Sequence, residues 1–243
     1  MEYSEAVRRY NSRCDAGRLQ VRAALIDMDG VLYDSMRNHT AAWYRMATEM
    51  GISCTREEFY LYEGMTGAAT INVLFKRAFG RECTPEEAAE LYARKAQYFS
   101  ALGEPALMPG ADRMLTTLRD NGIDRVLVTG SGQQSILDRI SNDYPGIFAT
   151  NRRVTAHDVT HGKPDPEPYL KGMQLSGCAA YQSMVIENAP LGVEAGRAAG
   201  AFVVGITTGP IPEADMWSAG ADLVFPSMPA FADALPSLLP HLA

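Results

Sequence analysis

Short apolar segments, each followed by a polar turn, recur along the chain. Segments with helical spacing of apolar residues lie between most of them. Six apolar segments are rich in Val and Ile and too short to form helices, so they predict β-strands: Ala23–Ile26, Arg125–Val128, Val154–Thr155, Met184–Ile186, Phe202–Ile206 and Leu223–Phe225. Strands that alternate with helices favour parallel pairing, with helices on both faces of the sheet. We therefore predict an α/β fold built on a doubly wound parallel sheet.

One interval, between Ser35 and about Leu107, breaks this alternation. It has no convincing strand, but helical patterns occur at Asn38–Met50, Glu57–Tyr62, Thr70–Phe79 and Pro85–Ser100. Because the interval follows the first strand, its helices should cover the C-terminal end of that strand, where open parallel sheets bind ligands. We predict an N-terminal extension (1–20), an α/β core domain (21–35 and 108–243) and an inserted helical cap domain (36–107).

Composition excludes several classes of protein. The chain has 243 residues, 47% of them hydrophobic, and a net charge of −7, which argues against binding to nucleic acid. Its four cysteines are scattered, so neither a disulfide framework nor a zinc site is expected. We find no secretory signal and no apolar run of about 20 residues, so we expect a cytoplasmic protein without a membrane partner. The oligomeric state stays open, and a monomer is compatible with the sequence.

Two carboxylates directly follow the first predicted strand. Asp27 and Asp29 flank a single residue and precede Gly30. Burying a carboxylate without a partner is costly, so a bound cation or a reaction that uses a carboxylate would explain the pair. Taken alone, the segment also fits a turn whose acids cap the next helix or face water.

Three later strand ends also carry polar groups: Thr129-Gly130-Ser131, Lys163 between glycine and proline, and Glu187-Asn188. The first can offer a hydroxyl and backbone N–H groups to a phosphate. The last suits Mg²⁺, which takes carboxylate and amide oxygens. Alone, the first also fits an N-cap turn and the second a solvated loop lysine.

Together these strand ends would place a carboxylate, a hydroxyl, an ammonium group and a metal site on one edge of the sheet, which is the set that phosphoryl transfer needs. A carboxylate is ionised at neutral pH, so Asp27 could attack phosphorus without a separate base. Its repulsion from an anionic phosphate would be offset by Mg²⁺ and Lys163.

The motifs D-x-D-G, T-G-S, K-P and E-N resemble, in this order, those of the haloacid-dehalogenase superfamily of phosphohydrolases. Within it, the chain resembles the β-phosphoglucomutase-like group, which has a Rossmann-like core and a helical cap. The resemblance runs from about Ala23 to the C-terminus. It implies that Asp27 is the nucleophile that becomes an aspartyl phosphate and that Asp29 is the general acid and base.

The same resemblance implies the binding residues. Thr129, with Gly130 and Ser131, would hold the transferring phosphoryl group, and Lys163 would neutralise it. The Mg²⁺ cofactor would be held by Asp27, Asp29 (through its backbone carbonyl), Asn188 and Glu187, all of which lie at the end of a predicted strand or directly after it.

In the cap, His39, Trp43 and Lys95 match residues that lie over the active site in this group, and Ser35 matches its hinge. Two features depart from the sugar phosphomutases. The cap loop, Glu63 to Gly67, has no arginine for a second phosphate, and Asn188 replaces the usual acid of the fourth motif.

We hypothesise that cap closure brings the Glu63 carboxylate to the metal, so that the site is complete only when the cap is shut. The cap loop E-G-x-T-G and the motif E-N-A-P-L-G resemble members that act as inorganic pyrophosphatases. The alternative is that Glu63 caps a helix or faces solvent.

The sequence thus predicts a Mg²⁺-dependent phosphohydrolase for a small phosphorylated substrate, either inorganic pyrophosphate or a small sugar or organic phosphate. A β-phosphoglucomutase is the second interpretation. A phospho-accepting module without turnover is the third, although such receiver domains are much shorter and lack a cap.

Overall fold

The computed structural model describes residues 3–132, 134–149 and 151–243; residues 1 and 2 of the predicted N-terminal extension lie outside this part. Its main feature is a six-stranded parallel sheet. The strands are β1 (Ala23–Ile26), β4 (Asp124–Val128), β5 (Arg153–Val154), β6 (Ser183–Glu187), β7 (Phe202–Ile206) and β8 (Leu223–Phe225), in the spatial order β5-β4-β1-β6-β7-β8. The predicted doubly wound α/β fold is confirmed.

Helices cover both faces of this sheet because alternate strand residues point to opposite sides. Ile26 packs into one apolar cluster and its neighbour Leu25 into another. The Ile26 face is covered by α1 (Tyr3–Arg13), α6 (Ala111–Asp120), α7 (Gln134–Asp143) and α11 (Met228–Leu242). The Leu25 face is covered by α8 (Glu167–Ser176), α9 (Pro190–Ala198) and α10 (Glu213–Ser218). A short 3₁₀ turn, Ala180–Gln182, precedes β6.

A helical segment is inserted after β1. It comprises α2 (Met36–Glu49), α3 (Glu58–Leu61), α4 (Gly67–Phe79) and α5 (Pro85–Ala101), and it has an apolar cluster of its own. The predicted start of α5 is confirmed, since Thr84 and Glu87 form a reciprocal capping box. We call α2–α5 the helical insertion; its treatment as a separate domain stays a prediction.

The structure contains a small two-stranded ladder that the sequence analysis did not predict. β2 (Tyr33–Asp34) and β3 (Ala106–Leu107) pair antiparallel where the chain leaves and re-enters the core. The expectation of no strand between Ser35 and about Leu107 was therefore wrong at β3. Two residues are too few to show an alternating pattern, so hydrophobic periodicity could not reveal either strand.

The N-terminal extension contains a helix, α1. Tyr10 is buried, and its hydroxyl donates a hydrogen bond to the Gly200 carbonyl. Arg13 forms an ion pair with the buried Asp222 just before β8. No helix in residues 3–132, 134–149 and 151–243 combines the length and apolar character needed to cross a bilayer.

Candidate active site

Four strand ends bring the predicted site residues to one edge of the sheet. Asp27 follows β1, Thr129 follows β4, Lys163 lies in the loop after β5, and Asn188 follows β6. Because β1 lies between β4 and β6 in a parallel sheet, the polar groups after these strands lie side by side. The sequence prediction that these motifs share one edge is met by this topology.

Asp27, Lys163 and Glu187 form a buried charged chain. Lys163 Nζ donates hydrogen bonds to Asp27 Oδ1 at 2.5 Å and to Glu187 Oε1 at 2.6 Å, and Lys163 is only 1% exposed. Burial alone would lower the pKa of Lys163, but the two carboxylates outweigh it and raise this pKa above its usual range. Burial raises the pKa of Asp27 to about 8; Lys163 opposes this rise, whereas Glu187 and Asp29 add to it.

Glu187 is held on both of its oxygens. Oε1 accepts from Lys163 and from the Tyr169 hydroxyl at 2.7 Å, and Oε2 accepts from the backbone N–H groups of Asn188 and Ala189 at 2.9 and 3.1 Å. A Cβ on Gly192 would lie 1.8 Å from Oε1, so only glycine fits beside this carboxylate. Such a saturated carboxylate is better placed to orient Lys163 than to bind a metal, so this geometry disfavours the predicted ligand role of Glu187.

Asn188 has the free oxygen that a metal site needs. Its Oδ1 is buried and has no hydrogen-bond partner within the described residues, while its Nδ2 donates to Glu63 Oε1 at 2.8 Å. Gly30 permits this position: its φ is +81°, and a Cβ there would lie 2.0 Å from Asn188 Nδ2. Glu63 is buried, and so the alternative of a solvent-facing Glu63 does not hold in this structure.

The charges of the site also favour a bound cation. The buried carboxylates Asp27, Asp29, Glu63 and Glu187 outnumber the two buried lysines, Lys95 and Lys163. Burial, and then the charges of Asp27 and Glu187, raise the pKa of Glu63 well above its usual value. A divalent cation would relieve this repulsion, and the oxygen donors suit Mg²⁺.

The described residues contain no group of three or more His, Cys, Asp or Glu side chains arranged to hold a metal. An Mg²⁺ ion here would therefore depend on the Asn188 amide oxygen and on backbone oxygen, which the sequence prediction assigned to Asp29. This ligand set is mixed, but Mg²⁺ commonly binds through few carboxylates together with water and substrate oxygens.

Asp29 is joined to the helical insertion by a second buried chain. Its Oδ1 accepts from Ser35 Oγ at 2.5 Å and lies 3.0 Å from His39 Nε2; His39 Nδ1 lies 2.6 Å from Lys95 Nζ. Because an ammonium group only donates, His39 Nδ1 accepts from Lys95, and His39 Nε2 carries the hydrogen directed at Asp29. Lys95 also lies 5.1 Å from the centre of the Trp43 ring.

Burial shifts the pKa values of this second chain. It lowers the pKa of Lys95 to about 7, with Asp29 acting in the opposite direction. Burial and the Lys95 charge lower the pKa of His39. Burial would raise the pKa of Asp29, but His39 and Ser35 outweigh it and hold this pKa below its usual value. Asp29 is thus ionised at neutral pH.

The loop after β4 forms the opposite wall of the site. Thr129 Oγ1 accepts from the Ser131 N–H at 3.0 Å, and the Gly132 N–H donates to the Tyr92 hydroxyl at 3.1 Å. A Cβ on Gly130 would lie 2.4 Å from the Gly64 carbonyl oxygen. The cap loop therefore lies directly on the predicted phosphate loop, which identifies a closed arrangement.

A cavity lies between the helical insertion and the core. Of the predicted site residues, it is lined by Asp27, Asp29, His39, Trp43, Glu63, Lys95, Thr129, Gly130 and Ser131. Lys163 and Asn188 contact the lining residues Asp27 and Glu63, and Glu187 contacts Lys163. Sequence reasoning missed Tyr92 and Tyr169, whose hydroxyl contacts are made across 40 and 18 residues of chain. In the sequence, both tyrosines fit ordinary apolar positions of a helix, so no local pattern marked them as residues of the site.

Comparison with known proteins identifies relatives of this architecture. The family described as "Hydrolase: haloacid dehalogenase-like hydrolase" matches residues 21–200. Hexitol phosphatase A of Escherichia coli is 31% identical over 77% of this chain and 84% of its own. Beta-phosphoglucomutase of Bacillus subtilis is 28% identical over 81% of this chain and 88% of its own.

A solved structure from Bacteroides vulgatus, a provisionally named beta-phosphoglucomutase, has a TM-score of 0.95 and 42% identity and covers 99% of this chain and 98% of its own. The resemblance predicted from the sequence motifs is confirmed by these matches, including the β-phosphoglucomutase-like group. The chain is an enzyme and belongs to the haloacid dehalogenase-like hydrolase family.

Proposed function

We propose that the protein is a Mg²⁺-dependent phosphohydrolase that forms an aspartyl phosphate on Asp27. The observation that carries this proposal is the buried Asn188 Oδ1, which has no hydrogen-bond partner among the described residues, in a site where Lys163 holds the Asp27 carboxylate at 2.5 Å. The names of two relatives, hexitol phosphatase A and 2-deoxyglucose-6-phosphate phosphatase 1, are consistent with phosphate hydrolysis.

In the first step, an oxygen of Asp27 forms a bond to phosphorus while the bond from phosphorus to the leaving oxygen breaks. Lys163 and the N–H groups of the loop after Thr129 balance the charge on the phosphoryl oxygens. In the second step, water attacks the same phosphorus, gives a proton to Asp29, and releases phosphate and free Asp27. Asp27, the Asp29 backbone oxygen, Asn188 and Glu63 would hold Mg²⁺. The bound ion would supply positive charge next to the phosphoryl group.

The protonation state of Asp29 affects which leaving groups it can assist. An ionised Asp29 is ready to accept a proton from water but must first be protonated to assist a sugar alkoxide. A phosphate leaving group needs less help, because a phosphate oxygen is far less basic than a sugar alkoxide and can leave without taking a proton. This supports inorganic pyrophosphate as the first substrate to test, followed by a small sugar or organic phosphate.

The cavity disfavours a phosphomutase. No arginine is among the described residues that line it, and Lys95 is the cationic side chain there. The second phosphate of a sugar bisphosphate would thus lack the bidentate guanidinium partner that suits it. This supports hydrolysis over transfer to a sugar.

A phosphate-release screen with Mg²⁺ tests the proposal across pyrophosphate, hexose phosphates, pentose phosphates and phosphoglycolate, with Asp27→Asn as the control. We expect release from at least one substrate by the wild type and almost none by the variant. β-Glucose 1-phosphate with traces of the 1,6-bisphosphate separates the alternatives, since a mutase would form glucose 6-phosphate. Phosphorylation without turnover would instead support a phospho-accepting module.

A further inference from the structure

The closed site must open for a substrate to enter. Asp27 and Lys163 are 4% and 1% exposed, and the Gly64 carbonyl lies against Gly130. The helical insertion joins the core through only two chain crossings, which we call the linkers: residues 32–35 and 104–108. Any rigid movement of the insertion must therefore change the backbone of these linkers.

The end of α7 contacts the first linker. The Tyr33 hydroxyl donates to Asp143 Oδ2 at 2.9 Å, and the Tyr144 hydroxyl donates to the Leu32 carbonyl at 2.5 Å. Tyr33 is fully buried. The same linker carries Ser35, which donates to Asp29. The position of the first linker is thus tied to both α7 and the active site.

One side chain of α7 contacts both linkers. The Arg139 guanidinium lies 5.3 Å from the centre of the Tyr33 ring in the first linker. It also donates to the Pro105 carbonyl at 3.4 Å and lies 3.7 Å from Glu104 in the second. Its ion pair with Asp143, at 3.0 Å, fixes it on the helix. Arg139 therefore ties the two linkers to each other in the closed arrangement.

The other end of α7 faces the substrate. The helix begins at Gln134, two residues after Gly132, and Thr129 to Gly132 is the loop that is proposed to hold the phosphoryl group. An anion at this loop would thus act on the same rigid element that holds the linkers. We propose that Arg139 is a positioning residue that couples phosphate binding at this loop to the closed position of the helical insertion.

This inference rests on the proposed phosphate site, but its test does not require turnover. The chain has two tryptophans; Trp43 is 8% exposed and lines the cavity, whereas Trp217 lies on α10. In a Trp217→Phe background, acrylamide quenching of fluorescence reports the exposure of Trp43 alone. Arg139→Ala is compared with Arg113→Ala, a matched control whose ion pair with Asp233 joins α6 and α11 in the core.

We expect Arg139→Ala to raise the quenching constant of Trp43 about twofold or more, and Arg113→Ala to leave it unchanged. Inorganic phosphate with MgCl₂ should protect Trp43 in the background protein. Because closure and phosphate binding are linked, Arg139→Ala should need about 2- to 20-fold more phosphate for the same protection. A loss of packing alone would not move this phosphate dependence.

Equal quenching and equal phosphate dependence in the two variants would overturn the inference. Should Arg139→Ala fail to fold, Tyr33→Phe removes only the hydroxyl bonded to Asp143, and it should shift quenching in the same direction by a smaller amount. No shift in that variant would equally count against it. A wild type that releases phosphate from no substrate would refute the proposed function, while the quenching difference would still report on the linkers.

Discussion

The core edge and the helical insertion contribute to the site in different ways. Core residues hold each other, as in the chain from Asp27 through Lys163 to Glu187, with distances of 2.5 and 2.6 Å. The insertion reaches the core by single contacts, such as Glu63 to Asn188 at 2.8 Å. The sheet therefore fixes the groups proposed for bond breaking, whereas Glu63 and the groups proposed for substrate selection depend on where the insertion lies.

The strongest test of this comparison changes the core alone. Asp27→Asn removes the proposed nucleophile and keeps its shape, so we expect phosphate release to fall by at least about 1,000-fold. Lys163 keeps its contact with Glu187, and hence the fold should be retained. Steady-state phosphate release and circular dichroism measure the two effects. Activity within tenfold of the wild type would refute the role of Asp27.

A substitution in the helical insertion should reduce activity less than Asp27→Asn does. Glu63→Gln should raise the Mg²⁺ concentration needed for half-maximal activity by about tenfold, because a metal-facing carboxylate is lost. Turnover at saturating Mg²⁺ should change less, since the core groups are untouched. Glu57→Gln, an exposed change in the insertion, is the matched control. An Mg²⁺ dependence identical to that of the control, with unchanged turnover, would remove Glu63 from the metal site.

The mildest perturbation changes only pH. Burial raises the pKa of Asp27 to about 8 and the pKa of Glu63 well above its usual value, so in the metal-free protein both groups take up protons more readily than exposed carboxyl groups do. Mg²⁺ binding must displace these protons, and the apparent Mg²⁺ affinity should therefore rise from pH 6 to pH 8. Activity titrated with Mg²⁺ at several pH values measures this slope, which should be shallower in Glu63→Gln. A flat dependence in the wild type would contradict the assignment.

The polar edge of the core sheet could be predicted from the sequence because each strand end has a recognisable local pattern. An apolar run ends in a polar motif, and the parallel pairing then places these motifs together without further information. The predicted start of α5 at Pro85 was equally local, because Thr84 and Glu87 form a capping box there. The pattern at Thr70 missed the true start of α4, since Thr66 caps the helix and glycine at residue 67 gives no apolar signal.

Long-range contacts could not be predicted in this way. The contact between His39 and Lys95 joins residues that lie 56 positions apart in the sequence, and the contact between Tyr33 and Asp143 joins residues 110 positions apart. Neither pair has a spacing that a single helix or strand would reveal. The saturation of Glu187 was also hidden, because two of its four donors are backbone N–H groups, which every sequence offers.

The β2–β3 ladder has an engineering consequence. Tyr33 pairs with Leu107, so the entry and exit points of the intervening chain are adjacent in space. If everything between them were exchanged, each doubling of the length of the replacement would cost only about 0.6 kcal/mol of loop-closure entropy. The fold thus offers a natural cassette boundary, at which new selectivity could be grafted onto the sheet-held chain of Asp27, Lys163 and Glu187.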